Sequence, residues 1–394
     1  MNNRKRYIGW LLGSMLMLLF TACYSYEEAP KDKAVLKIYL FAPDNPIVTR
    51  ADEGYVDASS DESRINTLDI WVFEHNDLHT LVGYLHLANQ TFESNNQKVV
   101  TMNITDEYAE KNPRPSVDIY VMANVTNLNC GLTFGRETTS AQLDAAKIGR
   151  SGTADFFGLT SLVSTVPSDG LPMSGILLDQ NVDDTTAPVY SVAKTKKVKL
   201  VRAVSKVRFI LSKSNSNPPT VSDLSIKFDD EMVPTNEYLF LSDEYPSATG
   251  HVDNTSYEKE DDNKVLVSGI GIGDINDCPD PASYEWGAVA NETAQAYEER
   301  INAGVTADDL SQVGLFYLRE SDKKMTGTIT YTLGTGESTT PKSVPFEMAA
   351  AGDFTRNHTW IVYGYFLGNG DLVLSQVLRL PWDDDNESDK IHNW

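Results

Sequence analysis

The sequence predicts a mostly β protein made of two antiparallel β-sandwiches with a few short helices. Short runs of Val, Ile, Leu, Tyr and Phe follow a period of two, and clusters of Asn, Asp, Ser, Gly and Pro separate them. About a dozen such runs are spread over the 394 residues, a length that favours two domains. A hydrophobic content of 41% is sufficient to fill two cores.

The predicted elements follow one another with few helical interruptions. The strands are expected at residues 34–41, 68–74, 81–87, 99–104, 117–124, 197–212, 221–228, 265–268, 315–319, 327–333, 343–348, 359–366 and 372–380. Short helices are expected at residues 140–148 and 292–301.

The chain is predicted to divide into four regions. Residues 1–23 form an export signal, residues 24–50 a tether with a strand and a loop, and residues 51–195 and 196–394 the two β-sandwiches. A linker fits residues 213–219 (K-S-N-S-N-P-P) or residues 183–188, and the sequence leaves both open. We place the domain boundary near residue 195.

The N-terminus has the pattern of a secretory signal peptide. Arg4, Lys5 and Arg6 precede an apolar run over residues 8–20, which is too short to span a bilayer as a helix. The run ends at Thr-Ala-Cys23, which is similar to the lipobox of bacterial lipoproteins. Lipidation at Cys23 is therefore predicted, and an ordinary signal peptide with an incidental cysteine is the alternative.

The net charge limits the classes of partner, and the cysteine content limits the possible disulfide bonds. The formal net charge is −23, which repels the phosphates of nucleic acids and anionic lipid headgroups, so nucleic-acid binding is excluded as a function. Cys130 and Cys278 are the cysteines that follow Cys23. In an exported protein they are consistent either with one disulfide or with two buried free thiols.

Strand 34–41 reads A-V-L-K-I-Y-L-F and contains one charged residue, Lys37, which predicts that both faces of the strand are buried. A proline-broken polar stretch follows and includes Arg50 and Ala51. Such a stretch is expected to form a surface loop, and an exposed arginine in an extended loop is a substrate for a trypsin-like protease. Cleavage between Arg50 and Ala51 would separate a core strand from the rest of the chain.

No pattern supports catalysis or a bound cofactor. The sequence contains no H-E-x-x-H, G-x-S-x-G or Walker motif. His75 and His79 are four residues apart, but the intervening Asn-Asp predicts a hairpin turn and not a metal site. The acidic stretches 260–263 and 383–386 lack the EF-hand spacing, so we expect solvated loops there and no metal.

Several short motifs, in order along the chain, resemble those of one family. They are the lipobox at Cys23, the apolar strand 34–41, the loop T-R-A-D at 49–52, the strand I-N-T-L-D-I-W-V-F-E at 65–74, L-P-M-S-G at 171–175, L-V-R-A-V-S-K-V at 200–207, R-N-H at 356–358 and L-P-W at 380–382. Together they resemble the FimA-type fimbrillins, the type V pilins of Bacteroidales. The fold implied by the resemblance is a pair of transthyretin-like or immunoglobulin-like sandwiches.

The resemblance implies a maturation pathway for a structural subunit of an adhesive surface fimbria. A lipidated precursor would reach the outer membrane, and an arginine-specific protease would cut after Arg50. The strand with Ala34, Val35, Leu36, Ile38, Tyr39, Leu40 and Phe41 would then leave, and a strand from a neighbouring pilin subunit would replace it. The partners implied are other pilin subunits and the protease, with a host or bacterial surface ligand that is not identified.

The resemblance also places the donor strand at the C-terminus. The candidate residues are Leu372, Leu374, Val377, Leu380, Trp382, Ile391 and Trp394. Residues 383–394 contain few apolar side chains, so we expect either that residues 372–380 take part in donation or that this subunit lies at the tip of the fimbria and donates little. An ordinary core strand at 372–380 is the alternative interpretation of this segment.

A second hypothesis is a surface lipoprotein that keeps Cys23 and strand 34–41 and binds glycans or host proteins through its loops. A tip or anchor subunit that retains its lipid belongs to the same alternative. The N-terminus of the mature chain distinguishes the two hypotheses.

Overall fold

The computed structural model describes residues 33–42, 61–89, 92, 97–125, 128, 130, 133–149, 157–159, 163–183, 187–241, 252–258, 267–270, 275–278, 311–335, 338–381 and 391–392. These residues are mostly in β-strands, which confirms the predicted fold class. The helices described are α1 (Asp106–Ala109) and α2 (Ser140–Asp144). In this part of the chain, no helix has the length and apolar character needed to cross a membrane.

Among the described residues, eleven strands precede residue 203. They are β1 (Val35–Phe41), β2 (Thr67–Glu74), β3 (Leu81–Ala88), β4 (Gln97–Asn103), β5 (Val117–Ala123), β6 (Lys147–Gly149), β7 (Met173–Gln180), β8 (Val182–Asp183), β9 (Val189–Val192), β10 (Val198–Lys199) and β11 (Val201–Arg202).

The strands that follow are β12 (Ser205–Ser214), β13 (Val221–Phe228), β14 (Pro234–Tyr238), β15 (Val252–Tyr257), β16 (Val267–Ile270), β17 (Asp277–Cys278), β18 (Ser311–Leu318), β19 (Met325–Thr335), β20 (Ser338–Ala349), β21 (His358–Phe366), β22 (Leu372–Pro381) and β23 (Ile391–His392).

Two sheets enclose the N-terminal core. Sheet A has β1 at its centre, with β4 on one edge of β1, β9 and β10 on the other edge, and β8 beyond β9. Sheet B has the order β11-β7-β5-β2-β3. Leu36 and Ile38 of sheet A pack in one cluster with Ile70 and Val121 of sheet B, because alternate residues of each strand point to the same side.

Two further sheets enclose the C-terminal core. Sheet D has the order β17-β12-β21-β22-β23, with β18 also paired to β12, and sheet E has the order β16-β13-β19-β20. Phe209 lies at the centre of this core, and its ring centroid is 5.3 Å from that of Phe346 in an edge-on arrangement. A three-stranded sheet C joins β6 to β14 and β15 and so links the two halves of the chain.

Not every strand pair is antiparallel. Strand β1 runs parallel to β9 and β10, and β12 runs parallel to β17 and β21. Parallel neighbours require crossover connections, so these pairs join segments that are distant in the sequence. For β1 the partners lie about 150 residues further along the chain.

Some predicted elements differ from the structure for tertiary reasons. The single strand expected at 197–212 is three strands, because the chain passes from sheet A (β10) to sheet B (β11) and then to sheet D (β12). The helix expected at 140–148 ends at Asp144, since Lys147–Gly149 pairs with β14 instead. The strand expected at 265–268 lies at Val267–Ile270. The helix predicted at 292–301 lies outside the described residues.

Cys130 carries a free, buried thiol in the N-terminal half. Burial raises the pKa of this thiol to about 12, so it stays protonated and unreactive at neutral pH. Of the two alternatives left open by the sequence, the free thiol is the one observed for Cys130.

Candidate functional site

Strand β1 is held on both edges by backbone pairing. All seven of its residues are in register with β4, from Val35 opposite Asn103 to Phe41 opposite Gln97. On the other edge, Val35–Lys37 pairs with β9, and Leu40 and Phe41 pair with β10. A central strand of this kind leaves two rows of unpaired N–H and C=O groups when it is removed.

One face of β1 fills the N-terminal core. Leu36, Ile38 and Leu40 are fully buried, and Ala34 and Ala42 at the two ends are nearly so. Burial of the three large side chains contributes roughly 5 to 9 kcal/mol relative to their exposure to water. The core therefore depends on this strand.

The opposite face of β1 corrects the prediction that both faces are buried. Val35, Lys37, Tyr39 and Phe41 are only half-buried. Three of these four positions are uncharged, and two of them, Tyr39 and Val35, lie opposite Val99 and Val189 in the neighbouring strands of sheet A.

The loop that joins β1 to β2 begins and ends at one place in the fold. The carbonyl of Phe41 accepts a hydrogen bond from the Leu200 amide at 2.9 Å. At the other end, Nε of Arg202 donates to the carbonyl of Glu62 at 3.1 Å. Because Leu200 and Arg202 are two residues apart, the chain leaves sheet A and returns to nearly the same point. Cys23, Arg50 and Ala51 lie outside the described residues.

Glu62, which follows this loop, forms contacts with both halves of the molecule. Its carboxylate lies 2.9 Å from Nζ of Lys206 and accepts a hydrogen bond from the Tyr317 hydroxyl. Glu62, Lys206 and Tyr317 are all almost fully buried. Burial raises the pKa of Tyr317, which keeps its hydroxyl protonated as a donor, and burial lowers the pKa of Lys206 against the attraction of Glu62. We call Glu62, Arg202, Lys206 and Tyr317 the junction clamp.

The motif R-N-H contacts the junction clamp from the C-terminal half. Oδ1 of Asn357 accepts a hydrogen bond from Arg202 at 3.2 Å, and the Asn357 amide donates to the carbonyl of Val204 at 2.8 Å. The motif L-P-M-S-G also reaches this region, since Met173 pairs with Arg202 in sheet B. Motifs far apart in the sequence thus meet at one junction. Sequence reasoning did not identify Glu62, which follows no recognisable spacing.

A second buried cluster surrounds the arginine of the R-N-H motif. Arg356 donates to Oε1 of Glu320 at 2.6 Å, and Oε2 of Glu237 lies 3.9 Å from the same guanidinium. Desolvation, only partly offset by Arg356, raises the pKa of Glu237 to about 8. Glu237 therefore holds a proton in the folded protein at neutral pH.

This proton makes stability depend on pH. Because the folded pKa of Glu237 is raised, its contribution is complete below about pH 4.5 and is lost as the pH rises through about 8. We expect Glu237→Gln to remove a slope of up to about 1.4 kcal/mol per pH unit over that range, measured by denaturant unfolding. Glu347→Gln, which changes an exposed carboxylate, is the control. Equal slopes for Glu237→Gln and the unchanged protein would contradict the assignment.

The part of the chain that contains β1 and most of the junction clamp matches a known family. Residues 34–218 match the family model of the major fimbrial subunit protein, FimA. The resemblance predicted from the motifs is thereby confirmed, and the match supports a fimbrial role at the cell surface.

A solved structure shares the fold over most of this chain. A Parabacteroides distasonis protein classed with cell adhesion proteins is 14% identical, with a TM-score of 0.53, and the alignment covers 90% of this chain and 99% of that one. At this identity the likeness supports the fold alone. The tip fimbrial protein Mfa3 of Porphyromonas gingivalis, with a C-terminal truncation, is 12% identical over 92% of this chain and 100% of that one. Its TM-score of 0.44 is too low to support an inference. A comparison with curated protein sequences finds no match.

The candidate donor segment lies beyond the residues that match FimA. Leu372, Leu374, Val377 and Leu380 belong to β22, which pairs with β21 along its length. Leu372 is buried in the C-terminal core, and Leu374 packs against that core. Ile391 is in β23, which pairs with β22 at Val377 and Leu378. Trp382 and Trp394 lie outside the described residues.

His75 and His79 lie at the hairpin between β2 and β3, as the Asn-Asp turn predicts. Both imidazoles face Asp118, with Nδ1 of His75 at 2.8 Å and Nδ1 of His79 at 3.5 Å from its carboxylate oxygens. Within the described ranges, no group of three or more His, Cys, Asp or Glu residues could hold a metal ion. The acidic stretches 260–263 and 383–386 lie outside those ranges.

Proposed function

We propose that this chain is a structural, non-catalytic subunit of an adhesive cell-surface fimbria that polymerises by strand exchange into the site of β1. The observation that carries the proposal is the position of β1, which is paired on both edges and buried on one face. It is also the first strand described, and the loop after it contains Arg50. A single cut in that loop would separate β1 from every later strand.

The export route follows from the N-terminal sequence. The basic residues Arg4 to Arg6, the apolar run 8–20 and Cys23 would direct the precursor to the outer membrane as a lipoprotein. The lipid would then hold the precursor at the membrane through a tether that ends at β1. After cleavage, lipid, tether and β1 would leave together.

The energetics favour replacement of β1 over an empty site. Loss of β1 would uncover core side chains such as Ile70 and Val121 of sheet B and would unpair the edges of β4, β9 and β10, and both changes are unfavourable in water. A strand from another subunit would restore the backbone hydrogen bonds, and its alternate side chains would fix the register.

The geometry of such an exchange favours a filament. The accepting site is in sheet A of the N-terminal half, whereas the candidate donor residues begin in β22 of sheet D in the C-terminal half. A contact between two different surfaces is heterologous, so it repeats from subunit to subunit and does not close into a dimer. Other copies of the chain or related pilin subunits are the partners that this arrangement requires.

Replacing Arg50 tests the role of cleavage. We expect Arg50→Ala to leave lipidated monomer and to give no ladder of polymers on unboiled gels, because β1 stays attached. Arg64→Ala is the control, since Arg64 lies on the far side of the loop and makes an exposed ion pair with Asp61. Polymers that persist in the Arg50→Ala variant would disprove cleavage at this site.

Mass spectrometry of protein sheared from cells separates the proposal from its alternative. An N-terminus at Ala51 supports the fimbrial subunit. An intact N-terminus with lipid on Cys23 would instead identify a surface lipoprotein that keeps β1, whether it is a tip subunit, an anchor subunit or a binder of glycans or host protein.

A further inference from the structure

A lysine-rich turn borders the site of β1. Residues 193–197 connect β9 to β10, and the Lys196 amide donates to the carbonyl of Ala193 at 2.8 Å to form the turn. Since β9 pairs with the start of β1 and β10 with its end, the turn lies beside the middle of the strand. We call Lys194, Lys196 and Lys197 the lysine wall.

The lysine wall stands out against the charge of the chain, which is −23 overall. Lys194 and Lys196 are exposed, and among the described residues neither forms an ion pair. Nζ of Lys197 lies 5.9 Å from the centre of the Phe41 ring, over the end of β1. An acidic partner would be attracted to this surface more strongly than to its surroundings.

Strand β1 itself does not supply that acidic partner. Residues 33–42 contain Lys33 and Lys37 and no carboxylate. In the precursor, positive charge on the strand therefore lies beside positive charge on the wall. An acidic segment beside the wall, once β1 has left, would replace this repulsion by attraction and favour the exchange electrostatically.

We infer that the lysine wall binds the acidic tail, residues 383–389, of a second copy of this chain. This inference rests on the proposed function and names the segment that lies along the wall. The tail reads D-D-D-N-E-S-D and contains no basic residue. Strand β22 is less suited to the site, because it pairs with β21 along its length and its side chain Leu372 is buried in its own core.

The polymerisation of two complementary variants tests the inference. One variant is K194E/K196E/K197E, and the other is D383K/D384K/D385K, both made as lipid-free precursor and cleaved with an arginine-specific protease that ignores the new lysines. Each variant alone places like charges at every contact, so we expect its polymer yield to fall on the order of tenfold or more. An equimolar mixture of the two places opposite charges at every contact, so we expect it to polymerise as the unchanged protein does.

Controls separate this inference from the proposed function. K323E/K324E/K342E makes the same change in charge in the C-terminal half and should polymerise normally. If the unchanged cleaved protein does not polymerise, the proposed function fails. If it does and the wall variant polymerises equally well, only the lysine wall is wrong.

The mixture also shows whether the lysine wall binds a segment of its own chain or of a second copy. The chain after the cleavage point is acidic too, with Asp52, Glu53 and Asp57 close to the junction clamp in sequence. Adding D52K/E53K/D57K to the chain that carries K194E/K196E/K197E tests for a contact within one chain. If this combined variant polymerises normally and the mixture does not, the wall binds residues of its own chain and the inference is overturned. A thermal melt of each variant confirms that a loss of polymer is not a loss of folding.

Discussion

Replacing Ile38 with alanine is expected to lower the free energy of unfolding of the precursor by about 3 kcal/mol. Ile38 is fully buried at the middle of β1, between side chains of sheets A and B, so the truncation leaves a cavity in the N-terminal core. Denaturant unfolding of the lipid-free precursor, before cleavage, measures this effect.

The same change should accelerate polymerisation once the precursor is cut. A strand held less tightly leaves its site sooner, and about 3 kcal/mol corresponds to at most roughly a hundredfold faster exchange. The polymer formed should have normal stability, since residue 38 is absent from it. Light scattering after addition of the protease follows the rate.

Lys37→Ala is the matched control for Ile38, because Lys37 is the adjacent residue on the half-buried face of the same strand. It should change the unfolding free energy by less than about 0.5 kcal/mol. If Ile38→Ala destabilises the precursor without changing the rate of polymerisation, departure of β1 does not limit assembly, and the order of steps in the proposal is wrong.

Replacing Glu62 with alanine is expected to cost about 3 to 5 kcal/mol of stability. The change leaves the ammonium group of Lys206 and the hydroxyl of Tyr317 buried without their shared acceptor. Because Glu62 joins the chain after the loop to strands of the C-terminal half, the variant should also lose cooperativity between the two halves. Denaturant unfolding followed by both fluorescence and circular dichroism measures each effect.

Asp61 provides the control for Glu62. It is the preceding residue and carries the same charge, but its side chain is 60% exposed and pairs with Arg64 at the surface. Asp61→Ala should therefore change stability by no more than about 1 kcal/mol. Equal effects at the two positions would show that the junction clamp does not hold the halves together.

The order of the strands was largely predictable, whereas their assignment to sheets was not. Runs of β-branched and aromatic residues between turn residues identify β2, β3, β5, β13 and β21 within a residue or two, although β5 and β21 are buried along their whole length. Strand β7 was missed, since M-S-G-I-L-L-D-Q does not alternate and its first residues are all buried. Its pairing with β5 and β11 specifies it instead.

The contacts of the junction clamp were not predictable from the sequence either. The motifs around Arg202 and Arg356 were recognised by their resemblance to fimbrillins, but no spacing links either of them to Glu62 or Tyr317. These residues lie up to 255 positions apart and meet only in the folded chain. Burial converts an unremarkable acid into the shared partner of a lysine and a tyrosine, and burial is not encoded by any local pattern.

The sequence by itself determined the β class, the position of Arg50 in a polar stretch after an apolar strand, and the resemblance to FimA, and it predicts the export signal. These features depend on local composition and on the order of residues along the chain. Only the tertiary structure decided that β1 is a central strand, that one of its faces is fully buried, and that both ends of its loop meet at residues 200–202. Pairing with β9 and β10 brings together residues about 150 positions apart, so it depends on which surfaces complement each other in space.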